Sequence, residues 1–324
     1  MSLRGRRILV TGGTGFIGCR IVEKLVLEHG AAVRVLVRRF GSAARVARLD
    51  VDLVHGDVTD ADAVGNAIRG CDIVIHCAYG NDGDPDHQRA VNVEGSRIVG
   101  EKVLEAGVSR MVHVSTIAVY GRMPDGDVDE GTPFAGPGDH YSQTKREAEE
   151  ILFDMHRRAG LPVTIVRPTC VYGPYGLAFT IHPLRELRTR QVVLVNGGEG
   201  LGNVVYIDDL VDGTLLAAIE PAAIGETFNL SGETPLTWRH FYDAYERLLG
   251  KRSTISMTPD EVRASAREVY SDHMLSFYSA KPRFRIDKAK RLLGFRPAFD
   301  FERGMELTAK WARWAGLVPG DRAQ

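Results

Sequence analysis

The sequence predicts an α/β protein: a doubly wound parallel sheet of the Rossmann type, with a smaller C-terminal α/β lobe interwoven with it. Three observations support this prediction. Short apolar, β-rich runs alternate with helical patterns through the first half of the chain, which indicates parallel βαβ units. The runs are almost continuously apolar, as expected for a sheet that is covered on both faces. The first run leads into a glycine-rich turn and then a helical pattern.

The elements follow one another in a regular order as far as Pro168. Strands are expected at 7–10, 33–37, 51–54, 72–75, 111–114 and 163–166. Helices are expected near 17–25, 60–69, 86–106 and 139–159. Beyond Pro168 the alternation ends, and Gly and Pro punctuate 173–176 and 196–202. A polar helical stretch at 259–270 and a final helix near 300–315 follow. Residues 1–175, joined by 203–230, would therefore form the first domain, and 176–324 would mainly form the lobe.

Composition excludes several classes of protein. The 324 residues carry 41 basic and 42 acidic side chains, which argues against a nucleic-acid binder. No apolar run approaches the ~20 residues of a membrane span. The apolar run at 8–10 is too short for a signal peptide, so a cytoplasmic protein is expected. The four cysteines form no CxxC pair and no zinc spacing occurs, so we expect buried thiols and no metal.

The glycine-rich turn predicts a dinucleotide site. Gly12, Gly15 and Gly18 form GxxGxxG between a strand and a helix, which is the context that the motif requires. The first glycine permits a tight turn, the second lets backbone approach a diphosphate, and the third lets helix and strand pack closely. Thr14, Phe16 and Ile17 lie in the same turn, where the helix N-terminus presents N–H groups to phosphates.

Arg38 and Arg39 follow the second strand, about 20 residues after the glycine turn, where an acidic residue would bind the ribose 2′-hydroxyl of NAD. Guanidinium groups suit a 2′-phosphate instead. The position therefore favours NADP over NAD, although two solvated arginines at a strand end are common in themselves.

Tyr141 and Lys145 form YxxxK early in a helical pattern, which puts both side chains on one helix face. An ammonium beside a phenol is expected to lower the phenol's pKa and suit it to acid–base catalysis. Ser115 and Thr116 end the fifth strand, at the sheet edge where ligands bind in such folds. One YxxxK match can arise by chance, and Ser-Thr is also a common turn pair.

Taken together, the motifs resemble those of the extended short-chain dehydrogenase/reductases, also called NAD-dependent epimerase/dehydratases. The resemblance runs through nearly the whole chain. Its further segments are 56–58, 76–78, 92–95, 113–116, 119–121, 130–133, 167–168, 171–174, 206–209 and 293–297.

The resemblance implies roles for individual residues. Tyr141 would be the general acid/base, Lys145 its activator and ribose anchor, and Thr116 the hydroxyl that orients the substrate oxygen. Asp57 and Val58 would hold the adenine. The remaining cofactor contacts would come from Cys77, Ala78, Tyr79, Asn92, Ser115, Pro168 and Val171. The family's chemistry is hydride transfer between nicotinamide and a carbinol carbon.

Three departures from the family pattern narrow the expected reaction. Ile117 and Ala118 replace the acidic pair that sugar-nucleotide 4,6-dehydratases carry after the Thr, which argues against elimination. The residues at 202–203 are Gly and Asn where many sugar-nucleotide enzymes have an Arg that grips the diphosphate. Arg283 or Arg285 could substitute for it. Thirdly, Arg38 and Arg39 indicate NADP, which is typical of net reductases.

The best-supported expectation is reversible reduction of a ketone to a secondary alcohol. The alternatives are a nucleotide-sugar 4-epimerase with tightly bound NAD, and a dinucleotide-sensing regulator without turnover. The resemblance also implies a homodimer packed through 86–106 and 139–159. His76 and His113 are expected to be satisfied core residues, 79–88 a loop over the site, and 259–284 a cap or ordinary lobe packing.

Overall fold

The structure is a computed structural model that describes residues 2–80, 83–136, 138–265 and 270–319. Its strands are β1 (Arg7–Thr11), β2 (Ala32–Val37), β3 (Val51–His55), β4 (Ile73–His76), β5 (Arg110–Val114), β6 (Gly126–Val128), β7 (Val163–Pro168), β8 (Cys170–Tyr172), β9 (Val192–Val195), β10 (Leu201–Gly202), β11 (Val204–Tyr206), β12 (Thr227–Leu230), β13 (Leu236–Thr237), β14 (Thr254–Met257) and β15 (Pro282–Phe284). Its helices are α1 (Phe16–Leu27), α2 (Ala61–Ile68), α3 (Pro85–Arg89), α4 (Gly95–Glu105), α5 (His140–Ala159), α6 (His182–Thr189), α7 (Ile207–Ile219), α8 (Trp238–Leu249), α9 (Pro259–Ala264), α10 (Asp272–Ser279), α11 (Asp287–Leu293) and α12 (Phe301–Trp314).

Seven strands form one central sheet in the order β12-β7-β5-β4-β1-β2-β3, and every neighbouring pair is parallel. This order is that of a doubly wound Rossmann sheet extended by one strand, which confirms the predicted fold class. The order reverses between β1 and β4, so the crevice between their carboxyl ends is the expected ligand site.

Both faces of the sheet are covered, because successive side chains of each strand point to opposite sides. Val10 of β1 packs in the larger core cluster, which includes residues of α1 and α7. Leu9 packs in a second cluster on the other face, with residues of α2, α4 and α5. The apolar runs that predicted the strands therefore supply both cores.

Strand β12 was not predicted, because its four residues include Thr227 and Asn229 and read as no apolar run. All four are buried, and β12 pairs with β7 at the sheet edge. The backbone N–H of Asn229 donates to the carboxylate of Glu130 at 2.8 Å, so a neighbouring loop covers the unpaired edge of this strand. Tertiary contacts here override a weak local signal.

The C-terminal lobe consists of short strand pairs rather than one sheet: β8 with β11, β9 with β14 and β6 with β15 are parallel, and β10 with β13 is antiparallel. Trp238 lies at its centre, within 5.0–6.3 Å, ring to ring, of Phe179, Phe241, Phe277 and Tyr278. Trp238 belongs to the same core cluster as Val10 of β1. The lobe and the sheet are thus packed as one body of apolar side chains.

Several predicted helices are shorter or divided. The stretch expected at 86–106 is α3, a wider π-type turn at 90–94 and α4. Within the segment expected as a loop at 79–88, α3 begins after Asp84, whose carboxylate caps it. Of the helix expected at 259–270, α9 covers the beginning, and residues 266–269 lie outside the described part. In the part of the chain that the structure describes, no helix combines the length and apolar character needed to cross a membrane.

Candidate active site

The turn between β1 and α1 is pressed against the end of β4. Gly12 has φ of +67°, and a Cβ there would lie 2.6 Å from the backbone N of Ala78. A Cβ at Gly18 would lie 2.3 Å from the carbonyl oxygen of Gly12. Because no side chain fits at either position, these two glycines are required by close backbone approach, as the motif predicts.

The outer side of the same turn is open. Gly15 is exposed and precedes α1 with no side-chain cap. A Cβ on Gly15 would meet only the Gly12 carbonyl oxygen, at 3.3 Å. The first N–H groups of α1, at Phe16, Ile17 and Gly18, have no acceptor within the helix. This cradle of N–H groups at a helix start fits a diphosphate, and Thr14 is half-buried beside it.

Arg38 and Asp57 lie together beyond β2 and β3. The Nε of Arg38 is 3.8 Å from Oδ2 of Asp57, and the guanidinium is 58% exposed. Oδ1 of Asp57 accepts hydrogen bonds from the N–H and hydroxyl of Thr59. Val58 is buried, with its side chain in the core. Arg39 is exposed and precedes a 3-10 turn. Arg38 and Arg39 are thus both exposed to solvent, and Asp57 lies beside Arg38.

Tyr141 and Thr116 are brought together from two elements. Oδ1 of Asp139 accepts from the N–H of Ser142 at 2.8 Å, and this cap fixes where α5 begins. Tyr141 therefore lies in the first turn of α5, and the side chain of Thr116 is close enough to interact with its hydroxyl. Arg146 donates to the carbonyl oxygen of Val119 at 2.7 Å and ties α5 to the turn after Thr116. Burial raises the pKa of Tyr141.

Lys145 lies one turn further along α5 and is buried. Its Nζ donates to the carbonyl oxygen of Val114 at 2.8 Å and lies 3.3 Å from Nε2 of His113. Burial lowers the pKa of Lys145 to about 8, against the opposing effect of Glu149. The sequence predicted that Lys145 would lower the pKa of Tyr141. In this structure the ammonium of Lys145 is directed instead to the Val114 carbonyl oxygen and to His113. Burial has the largest effect on the pKa of Tyr141.

The histidines beside the site differ from one another. His76 is satisfied, as predicted: Nδ1 is 2.7 Å from the Thr11 hydroxyl and Nε2 is 3.1 Å from that of Ser96. His113 was expected to be a satisfied core residue, but its buried Nδ1 has no hydrogen-bond partner among the described residues. His140 reaches across the site to Gln88, whose Oε1 lies 2.6 Å from its Nδ1.

The remaining predicted contacts lie in three places, after β4, after β5 and at β7–β8. Cys77, Ala78 and Tyr79 follow β4, and the Tyr79 ring meets the Tyr141 ring edge-on at 6.2 Å. Ser115 follows β5, and its buried Oγ has no hydrogen-bond partner among the described residues, as expected where a ligand atom would complete the site. Pro168 ends β7 and Val171 lies in β8.

The side chain of Asn92 serves the scaffold. Its Oδ1 accepts from the N–H of Gly80, and its Nδ2 donates to the hydroxyl of Thr144, both at 3.0 Å. These bonds join the segment after β4 to α5. A contact from the Asn92 side chain to a cofactor would have to use the second N–H of Nδ2 or the second lone pair of Oδ1.

Sequence reasoning missed the support beneath α5. Arg167 of β7 pairs with Glu149 at 2.6 Å, and its Nη1 donates to the hydroxyl of Tyr120 at 2.9 Å. Both members of the pair are buried. Glu149 lies four residues after Lys145, on the same helix face, which was the available signal. The pair joins α5, β7 and the turn after Thr116, so it holds Tyr141 and Lys145 in place relative to Thr116.

The lobe residues considered for a diphosphate grip are engaged elsewhere. Asn203 is buried; its Nδ2 donates to the carbonyl oxygen of Pro282 at 3.0 Å and its Oδ1 accepts from the N–H of Phe284 at 3.2 Å. Arg285 pairs with Asp127 and Asp287. Arg283 is exposed on β15.

Comparisons with known proteins agree with this geometry. The model of the NAD dependent epimerase/dehydratase family matches residues 8–231. A ketoreductase of Stigmatella aurantiaca, acting on a 4-hydroxy-2-methyl-3-oxo-4-farnesyl-3,4-dihydroquinoline-1-oxide, is 28% identical over 93% of this chain and 95% of its own length. The solved dTDP-glucose 4,6-dehydratase of Streptomyces venezuelae, with NAD bound, is 26% identical with a TM-score of 0.81, covering 97% of this chain and 99% of that one. The UDP-glucose 4-epimerase of Thermotoga maritima, solved with UDP-glucose, is 26% identical with a TM-score of 0.79, covering 95% and 99%.

Proposed function

The chain belongs to the NAD dependent epimerase/dehydratase family, and we propose that it is an NADP(H)-dependent reductase that interconverts a ketone and a secondary alcohol. The observation that carries this proposal is the close placement of Tyr141 and Thr116, which is followed by the apolar side chains of Ile117 and Ala118. The pair supplies one acid–base group and one orienting hydroxyl, which is what carbonyl reduction requires.

Each residue has a definite task in this reaction. The dinucleotide, when bound, supplies or accepts the hydride. The turn from Gly12 to Gly18 would hold its diphosphate. Thr116 would donate to the carbonyl oxygen, and Tyr141 would give that oxygen its proton. Because burial raises the pKa of Tyr141, the group is a protonated phenol at neutral pH, as a proton donor in the reductive direction must be.

Elimination is disfavoured at this site. A 4,6-dehydratase needs a second acid–base pair to remove and return protons during loss of water. Ile117 is buried, and Ala118 carries no titratable group. The likeness to dTDP-glucose 4,6-dehydratases is one of sequence and fold, and Ile117 and Ala118 offer no second acid–base pair for dehydration.

A nucleotide sugar is a poor candidate substrate for the same kind of reason. Both ends of the Asn203 amide are occupied by lobe backbone, and Arg285 is paired with two carboxylates. Neither the Asn203 amide nor the Arg285 guanidinium can bind a diphosphate without losing its present partners. These contacts support a substrate without a nucleoside diphosphate, and of the two arginines considered they leave Arg283 as the remaining candidate grip.

The proposed preference for NADP rests on the exposed side chain of Arg38, with Arg39 next to it.

The proposal also includes a homodimer packed through 86–106 and 139–159 and a cytoplasmic location. It divides the chain into a first domain of residues 1–175 with 203–230, and a lobe formed mainly by 176–324. Mass measurement in solution tests the dimer, since a monomeric mass would exclude it.

The test separates a reductase from an epimerase by its redox balance. The purified protein is denatured and its released cofactor is identified by mass spectrometry. NADPH oxidation is then followed at 340 nm with a panel of ketones. In parallel, UDP-glucose and dTDP-glucose are incubated without added cofactor. Stoichiometric NADPH consumption with a ketone supports the proposal. Tightly held NAD together with cofactor-independent sugar conversion would establish the epimerase, and tight dinucleotide binding without turnover on either panel would indicate the sensor.

A further inference from the structure

The polar floor beneath Lys145 contains two buried imidazoles with different surroundings. His76 lies on β4 and His113 on β5, with ring centroids 5.2 Å apart. Burial lowers the pKa of His76 to about 3 and that of His113 well below its ordinary value. Both rings are therefore neutral, and each has one N–H and one acceptor nitrogen.

The hydrogen-bond partners of His76 show which of its ring nitrogens carries the proton. Ser96 donates its one hydroxyl hydrogen to the carbonyl oxygen of Asn92 at 2.6 Å. Its oxygen must therefore accept from Nε2–H of His76. Nδ1 of His76 is then the acceptor for the hydroxyl of Thr11. Every polar atom of this ring has a partner, and Lys145 is not one of them.

The hydrogen-bond partner of His113 requires the opposite tautomer for that ring. A lysine ammonium has three donors and no acceptor. Nε2 of His113, 3.3 Å from Nζ of Lys145, must therefore be the acceptor, and the ring proton lies on Nδ1. That N–H has no partner among the described residues and is fully buried. Leaving a buried donor unpaired lowers stability, so packing alone does not explain why a histidine is present here.

We propose that His113 is the positioning residue of Lys145, a neutral acceptor that holds the ammonium together with the Val114 carbonyl oxygen and leaves its third N–H for the cofactor ribose. The inference rests on the proposed function of the site. The two acceptors hold two of the three N–H groups from the β5 side, so the third is directed away from the sheet. A histidine that cannot be protonated in the working pH range keeps this role constant.

The groups that face Lys145 define what a titration will report. They are Glu149 on the same helix, Cys77 and His76 from the β4 side, and His113 from β5. Glu149 raises the pKa of Lys145 and remains in place when His113 is changed. His113→Phe keeps a ring in the space and removes the acceptor. His113→Gln returns an acceptor at a similar distance from the backbone.

The experiment measures the pKa of Lys145 directly in the full chain. Protein labelled with ¹³C at lysine Cε is titrated by NMR, and the Lys145 signal, one of eight, is assigned by its loss in Lys145→Arg. His113→Phe should lower the pKa of Lys145 by about one unit, because a hydrogen bond to the charged form is lost. His113→Gln should recover at least half of that shift.

His76→Phe is the matched control, since it replaces the neighbouring buried ring but removes no acceptor from Lys145. We expect its shift to be below about 0.3 units. An unchanged Lys145 pKa in His113→Phe, or equal shifts in both Phe variants, would overturn the proposal. If either Phe variant does not fold, the comparison of His113→Gln with His113→Asn decides it: Asn places its acceptor near Nδ1, so the Lys145 pKa should fall in Asn and hold in Gln, and equal values would contradict the role. The titration uses no substrate, so absence of ketone reduction would refute the proposed function and leave this result interpretable.

Discussion

The cofactor side and the lobe side of the cleft are built in different ways. On the cofactor side, the proposed contacts would come from turns at the carboxyl ends of parallel strands, and backbone N–H groups around Gly15 are left without helical acceptors. On the lobe side, polar side chains such as Asn203 and Arg285 are engaged within the lobe itself. The first side is arranged to receive a ligand of fixed shape, while the second is mainly engaged in holding its short strands together. The side chains that carry the proposed chemistry and those that hold the lobe together therefore come from separate parts of the chain.

The largest expected effect tests the chemistry of the cofactor side. Tyr141→Phe removes the proton donor and keeps the ring, so we expect turnover to fall by about 10³-fold. Affinity for NADPH, measured by fluorescence titration, should change by less than about 2-fold, because the diphosphate cradle is untouched. Tyr175→Phe, which removes the hydroxyl of an exposed tyrosine with no role in the proposal, is the control and should keep most of the activity. Retained turnover in Tyr141→Phe would remove the assigned role.

The second effect tests the buried ion pair that supports α5 on the cofactor side. Glu149→Gln leaves the buried Arg167 guanidinium without its counter-charge, which should lower the free energy of unfolding by about 3 kcal/mol. Glu147→Gln is a matched control on the same helix, because its ion pair with Arg89 is largely exposed and should contribute less than about 1 kcal/mol. Urea unfolding measures both variants. Equal losses would show that burial of the Glu149 pair carries no special stability.

Only part of this structure could be predicted from the sequence. The sheet and the glycine turn were predictable, since apolar runs and glycine spacing are local patterns. Strand β12 was not, because its burial comes from partners distant in the sequence. The pairs Glu149–Arg167 and Lys145–His113 join residues that lie 18 and 32 positions apart, on different elements. Only the packed helix α5 brings them together: the i,i+4 spacing from Lys145 could indicate Glu149, but no spacing rule identifies Arg167 or His113 as the partners.

The third effect tests which dinucleotide the cofactor side prefers. Arg38→Ala removes an exposed guanidinium that would pair with a 2′-phosphate, so NADP(H) should bind about 10- to 100-fold more weakly. NAD(H) affinity should change by less than about 2-fold, since NAD has no phosphate at that position. Arg34→Ala is the control: this residue lies within β2 and pairs with Asp52. Equal weakening of both dinucleotides by Arg38→Ala would contradict the assignment to NADP.

The smallest effect tests the lobe side alone. Asn203→Ala removes two hydrogen bonds that hold β15 next to β10 and β11, and it leaves the Pro282 carbonyl and the Phe284 N–H without that partner. We expect the free energy of unfolding to fall by about 1 to 2 kcal/mol, measured by urea unfolding. NADPH affinity should stay the same, because these bonds lie outside the cradle.

Asn203→Asp sharpens this test, since it keeps the acceptor for Phe284 and replaces the donor to Pro282 with a second oxygen. If Asn203 only holds the lobe, Asp should destabilise the protein at least as much as Ala, because two oxygens would then face each other in a buried place. If the position instead touches substrate, both variants should change KM for a ketone by more than their loss of stability would explain. That outcome would move Asn203 from the scaffold to the binding surface, and the separation between the two sides of the cleft would no longer hold at this residue.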